Sequence, residues 1–142
     1  IAVPTPFNDN YDHDQRYVDK ATTAIAPFIE AGNVIILEST SHVGTTERVA
    51  EILADAGHKD DVYIAHCPER VLPGRILIEL VQNDRIVGGI NEASTKKASA
   101  FYKEFVSGEV LETDAKTAEL SKLTENSFRD VNIAFANELS LI

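Results

Sequence analysis

A single cysteine, Cys67, stands among the 142 residues, which excludes an internal disulfide and a cysteine-ligated zinc cluster and fits a reducing compartment. No apolar run approaches the roughly 18 residues of a membrane span, and no signal peptide is evident. The expected location is therefore the cytoplasm, with no membrane partner. Basic residues are scarce, 13 Lys and Arg against 23 Asp and Glu, for a net charge of −10. Nucleic acids and anionic membrane surfaces are normally met by a basic patch, so neither is expected as a partner. Any anionic ligand has to be met by a local group of cations. The four histidines, His13, His42, His58 and His66, lack metal-ligand spacing. The Asp-rich "NDNYDHD" lacks the glycine and the closing glutamate of a calcium loop, and no metal is expected. The G-x-G-x-x-G fingerprint of a dinucleotide site is missing as well, since the "GG" at 88 and 89 does not match it.

What is present is a chain 44% hydrophobic and 25% charged, apolar enough to fold and long enough for one domain with a core. It opens on "IAVPTPF", without Met and already in a strand-like run, and closes on "FANELSLI" with no helix stop signal. These ends predict a piece of a longer protein.

Short β-branched runs, "IAV", "VIILE" at 34–38, "VYIAHC" at 62–67, "RIVGGI" at 85–90 and "EVLET" at 109–113, predict about five strands buried on both faces. Amphipathic stretches at 17–31, 45–56 and 92–106 predict the helices between them. Such alternation predicts an α/β fold with a parallel sheet and right-handed crossovers. The one loop of note is "FNDNYDHDQR", 7–16. From Asp114 onward there is no Gly or Pro, and the pattern is one helix of about 28 residues, roughly 40 Å long, leaving the sheet domain.

Ligands of open α/β sheets bind past the carboxyl ends of the strands, which directs attention to "PTP", "STSHVGTTE" and "PERVLPG". Thr5 and Thr40 have two open roles there, donating to a dinucleotide or capping the next helix, with Thr45 a second cap candidate. Glu69 and Arg70 are either a surface pair or ligand-facing groups on a loop stiffened by Pro68 and Pro73. Cys67 ends an apolar strand with no base beside it and reads as a buried, inert thiol. On the last helix Lys122, Asn126 and Arg129 fall within about 60° of one another, with Leu120, Leu123, Phe128, Val131, Ala134 and Phe135 opposite. Such a polar stripe is most often solvated surface.

Five motifs in order, "VPTP", "LESTSHVGTTE", "CPERVLPG", "NDRIVGG" and "AELSKLTENSFRDVNIAFANELS", resemble the UDP-glucose/GDP-mannose dehydrogenase family from end to end of the chain. Within it, they most resemble the branch that acts on UDP-N-acetyl-D-mannosamine. The resemblance implies NAD as cofactor and a UDP-sugar oxidised twice at C6, through an aldehyde and a cysteine thioester, to UDP-N-acetyl-D-mannosaminuronate for surface polysaccharide synthesis. It implies that residues 1–113 are the second part of a Rossmann-like, mainly parallel sheet domain. Residues 114–142 would then begin a long central helix that also dimerises, so a homodimer is expected at full length. A UDP-binding domain, the glycine fingerprint and the nucleophilic cysteine would lie outside the chain, leaving it inactive alone.

Carried over by motif, Thr5 and Thr40 match hydroxyls that contact NAD, and Arg70 and Val71 match substrate-contacting positions. Lys122 and Asn126 match the lysine and asparagine around the reacting C6, Arg129 lies on the substrate side, and Glu69 matches a glutamate that handles protons through water. Two departures stand out. Pro73 occupies the place of a second glutamate found in the UDP-glucose branch, and Cys67 does not match the family's nucleophile. The competing substrates are UDP-N-acetylglucosamine and UDP-glucose, and the competing class is a non-catalytic nucleotide-binding or dimerisation module.

Overall fold

The computed structural model describes residues 1–8, 10, 13–71 and 74–142. Pro73, expected to stiffen the loop after the second strand, and Asp9, Tyr11 and Asp12 of the acidic loop lie outside the described residues. The elements run α1 (Arg16–Ile25), β1 (Val34–Leu37), α2 (Thr45–Asp55), β2 (Tyr63–His66), α3 (Ile76–Gln82), β3 (Arg85–Gly89), α4 (Glu92–Lys103), β4 (Val110–Asp114) and α5 (Ala115–Leu139). Pro27 ends α1 early by removing an amide donor, and the chain tightens there into a 3-10 turn over Ala26–Phe28.

The sheet has four strands in the order β1-β2-β3-β4. The expected fifth, at Ile1–Val3, lies extended beside β1: the Ile1 amino group donates to the Ile36 carbonyl at 2.5 Å, and the Glu38 amide donates to the Ile1 carbonyl at 2.9 Å. The next link is made by a side chain, the Val3 amide donating to Ser39 Oγ at 2.7 Å. A hydroxyl has replaced the backbone ladder there, and the segment is not a regular strand.

The sheet is mainly parallel, as expected, with one exception. β1 and β2 are parallel, β3 and β4 are parallel, but β2 meets β3 antiparallel, with His66 opposite Gly88. The reason lies in α3, absent from the sequence reading, which buries none of its residues. A helix that does not cover the sheet cannot act as the crossover a parallel pair requires.

One core lies under α1 and α2, built from Val18, Ile35, Leu37, Val49, Leu53 and Ile64. The other lies under α4 and holds Ala65, Cys67, Val87, Ala98 and Tyr102. Within the second core, Arg85 is buried, its Nη2 donating to the Leu80 carbonyl at 2.9 Å and its guanidinium 5.8 Å from the Tyr102 ring centre.

The reversal at β3 also directs α5. That helix starts where β4 ends, capped by Asp114, whose carboxylate accepts from the Thr117 amide at 2.9 Å, and it runs back across the sheet to the end where β1 and β2 finish. Close approach depends on Gly88: a Cβ there would lie 2.1 Å from the Asp114 carbonyl oxygen and 2.8 Å from the Ala118 Cβ. Small residues therefore form the seated face, Ala115, Ala118 and Glu119 being buried. The stripe expected to be the apolar side faces outward instead, with Leu120, Phe128, Val131 and Phe135 all exposed. Phe128, Val131 and Phe135 stand about 15 Å or more along the helix from Ala118, beyond its seat on Gly88. No described helix is long and apolar enough to cross a membrane.

Candidate functional site

The ends of the first extended segment and of β1 are tied by hydroxyls. Thr5 Oγ1 donates to the Thr40 carbonyl at 2.8 Å, Ser39 Oγ donates to the Val3 carbonyl at 2.8 Å, and Ser41 Oγ donates to the Ser39 carbonyl at 2.7 Å. Neither Thr5 nor Thr40 caps a helix. Thr45 does not cap α2 either: its Oγ1 donates to the His42 carbonyl at 2.7 Å, and the helix starts after Gly44 in the left-handed region, with no side-chain cap from that residue. With its proton committed to Thr40, Thr5 presents lone pairs to a ligand.

Over these loop ends opens a cleft of about 600 Å³, lined by Thr5, His13, Thr40, His42 and, from α5, Asn126 and Asp130. Phe7 and His13 reach it together because a bridge pairs them, supported by the Asp14 amide donating to the Pro6 carbonyl at 2.9 Å. Asp14 is held well below the usual carboxylate range, at about 2, by the side-chain and backbone hydrogen bonds of Arg16. The rings of His13 and His42 stack with centroids 6.2 Å apart. Burial, then the neighbouring His42, lowers the His13 pKa, and His13 Nε2 is buried without a hydrogen-bond partner.

A second cavity of about 410 Å³ lies against the same helix, lined by Arg70, Val71, Glu79, Lys122, Glu125 and Arg129, with Asn83 beside them. Arg70 Nη2 meets Glu125 Oε1 at 3.1 Å, and Lys122 Nζ, with its side chain only 12% exposed, stands 3.9 Å from Glu125 Oε2. The loop is fixed from α3's end, where Asn83 Nδ2 donates to the Arg70 carbonyl at 2.8 Å. Three cations against two carboxylates leave this wall net positive in a chain of −10, the local concentration that an anionic ligand requires.

The polar stripe of α5 is thus divided. Lys122 and Arg129 join Arg70 and Val71 in the cationic cavity, while Asn126 joins Thr5 and Thr40 in the hydroxyl-lined cleft. Glu69 lines neither: it is exposed, and its carboxylate accepts from the Val71 amide within its own turn. Cys67 is fully buried, and burial pushes its thiol up to about 11, the behaviour of an inert thiol.

Sequence reasoning missed Glu125, His13, His42 and Glu119. Glu125 carries a signal, standing at i+3 from Lys122 on a helix. Glu119 is buried, with Oε2 accepting from the Gly44 amide at 2.6 Å and Oε1 from the Thr46 amide at 2.7 Å and the Thr46 hydroxyl at 2.6 Å.

The chain matches the NAD binding domain of the UDP-glucose/GDP-mannose dehydrogenase family over residues 1–106 and that family's central domain over residues 116–142. It is 55% identical over 152 aligned residues to the UDP-N-acetyl-D-mannosamine dehydrogenase of Salmonella typhi, covering 100% of this chain and 36% of that protein. Identity to the NDP-N-acetyl-D-galactosaminuronic acid dehydrogenase of Ralstonia nicotianae is 52%, with the same coverage of 100% and 36%. The solved UDP-D-ManNAc dehydrogenase of Pyrococcus horikoshii superposes with a TM-score of 0.93 at 46% identity, over 96% of this chain and 33% of that one. The chain spans about a third of the length of these relatives. With that match to the NAD-binding domain extending over most of its length, the chain belongs to the UDP-glucose/GDP-mannose dehydrogenase family.

Proposed function

We propose that these residues serve an NAD-dependent 6-dehydrogenase that oxidises UDP-N-acetyl-D-mannosamine twice at C6, to the uronate. One observation carries the reading: α5 places Lys122 in a cation-rich cavity and Asn126, one turn later, in a hydroxyl-lined cleft. Lys122 and Asn126 are neighbours on one face of the helix, so a sugar nucleotide in the first and a cofactor in the second would adjoin there, as direct hydride transfer requires. The cleft suits part of NAD, since Thr5 offers lone pairs and His13 Nε2 is a buried polar atom still lacking a partner. When bound, NAD supplies the hydride acceptor.

Arg70, Val71 and Arg129 would bind the UDP-sugar, and Thr5 and Thr40 would orient the cofactor. Lys122 would stabilise negative charge growing on the C6 oxygen, which raises rate because that charge is largest in the transition state, and it can also transfer a proton. Asn126 would donate to the same oxygen or to attacking water. Glu69 would handle protons through water after releasing the Val71 amide. Residues 1–113 would form the carboxyl-terminal part of the NAD-binding domain and 114–142 the start of a dimerising central helix, in a cytoplasmic homodimer that feeds polysaccharide synthesis.

The test is NAD reduction by the whole enzyme with a panel of UDP-sugars. UDP-N-acetyl-D-mannosamine is expected to react fastest; UDP-N-acetylglucosamine or UDP-glucose in first place would defeat this choice. The 52% identity to a galactosaminuronate-forming relative favours a second reading, and UDP-N-acetyl-D-galactosamine belongs in the panel for that reason. Lys122→Ala should lower kcat by roughly 100-fold or more with little change in KM. An unchanged kcat would remove Lys122 from the chemistry.

A further inference from the structure

We infer that Glu119 is a positioning residue that fixes the Thr40 loop against the face of α5 carrying Lys122 and Asn126, and so sets the spacing between the two halves of the site. The inference rests on the function proposed above and deepens it. Glu119 touches neither cavity. Its carboxylate, 1% exposed, is spent wholly on the start of α2, accepting from two amides and one hydroxyl between 2.6 and 2.7 Å. A helix start can be satisfied by the residue before it, and Ser, Thr, Asp or Asn commonly does so. Here that place is taken by Gly44, at φ 99°, and the carboxylate arrives from 73 to 75 positions away.

The carboxylate's own place on α5 gives the contact its consequence. Glu119 stands three residues before Lys122 and seven before Asn126, while Gly44 stands four residues after Thr40. A continuous bonded path therefore runs from Thr5 to Thr40 to the α2 start, through Glu119, to the residues that face the ligands. The other link between α2 and α5 among the described residues, Lys116 to Glu47 at 2.9 Å, is about half exposed on both sides and too weak to fix a register. An error of about 1 Å in reacting geometry can cost on the order of 100-fold in rate.

The experiment uses the intact dehydrogenase with Glu119→Gln, Thr46→Val, Thr46→Ser and, as control, Glu47→Gln. Expected are a fall in kcat of at least ~10-fold for Glu119→Gln, a smaller fall for Thr46→Val, recovery in Thr46→Ser, and an unchanged KM for the UDP-sugar. Glu47→Gln should behave as wild type. Wild-type kcat in both Glu119→Gln and Thr46→Val would overturn the inference, as would equal losses in Thr46→Val and Thr46→Ser. Should Glu119→Gln fail to fold, the Thr46 pair decides. Amide exchange provides an arm that needs no turnover: Glu119→Gln should speed exchange at Gly44 and Thr46 and also from Lys122 to Asn126. Faster exchange confined to α2 would overturn the coupling. An inactive wild-type enzyme would defeat the proposed reaction alone and leave the exchange arm to decide the role of Glu119.

Discussion

The two helices that cover the middle strands, α2 and α4, are nearly equal in length, at 11 and 12 residues, and begin in opposite ways. α4 is capped within its own sequence: Asn91 accepts from the Ser94 amide at 2.8 Å, and Glu92 stands in the first turn. That end is self-sufficient, and its contribution is the ordinary one of a local cap. α2 has no such residue and takes its acceptor from α5. A locally capped helix keeps its cap wherever it moves, whereas a helix capped at a distance loses that contribution when its partner is displaced. The difference marks α2 as the element whose order depends on the helix bearing the candidate site.

The comparison can be broken most severely at Glu119. Glu119→Ala leaves the Gly44 and Thr46 amides without their acceptor at a buried position and should destabilise the protein by roughly 3–5 kcal/mol, measured by urea denaturation. A loss no greater than that of a local cap would erase the contrast.

His66 gives the next largest effect. It is buried, and burial lowers its pKa to about 4, outweighing the opposing effect of the Leu37 backbone beside it. Above pH 6.5 both states are neutral there and no stability is at stake. Between 6.5 and 4 the unfolded chain takes up a proton that the folded one refuses, so the His66 contribution to stability should fall by about 3 kcal/mol across that window and stay constant below it, where the depressed carboxylates such as Asp14 take over the slope. Denaturation midpoints against pH check this, and His66→Gln should flatten the profile. A profile with no slope in that window would show that the folded protein accommodates the imidazolium.

Asn91→Ala should cost about 1 kcal/mol, with little effect on α2, as read by amide exchange in each helix. Smallest is Glu47→Gln, which breaks the exposed pair with Lys116 and should change stability by under about 0.5 kcal/mol. A larger loss would mean that the surface pair, and not the buried carboxylate, joins α2 to α5.

The same contrast explains what the sequence could and could not disclose. α1, α2, α4 and α5 were legible because each carries a helical period, and the strands because each is a short β-branched run, although β4, expected to be buried on both faces, buries no residue. Four of five strands appeared where β-branched runs predicted them, and the long last helix ran 25 residues. α3 escaped because "ILIELVQ" is an apolar run of only seven residues that buries nothing, and over two turns a helical period does not separate it from a strand. The antiparallel step escaped with it.

Within the candidate site, the motif residues Arg70, Val71, Lys122 and Arg129 share one cavity, and Thr5, Thr40 and Asn126 share the other. Spacing alone placed Lys122, Asn126 and Arg129 on one stripe but could not say that a helix edge divides it. Glu119 was invisible for a plainer reason. Its partners are separated from it by about half the chain, and a glutamate on an amphipathic helix looks like solvent until the fold shows what lies opposite.

Gly88 gives the molecule a mechanical property. By leaving room for the Asp114 carbonyl and Ala118, it sets the height at which α5 rides on the sheet. The helix acts as a lever pivoted at that glycine, with Asn126 about 12 Å along the arm from Ala118. Even one methyl group added at Gly88 would tilt that lever, and the disturbance would be felt where the arm ends, at side chains that touch nothing near the pivot.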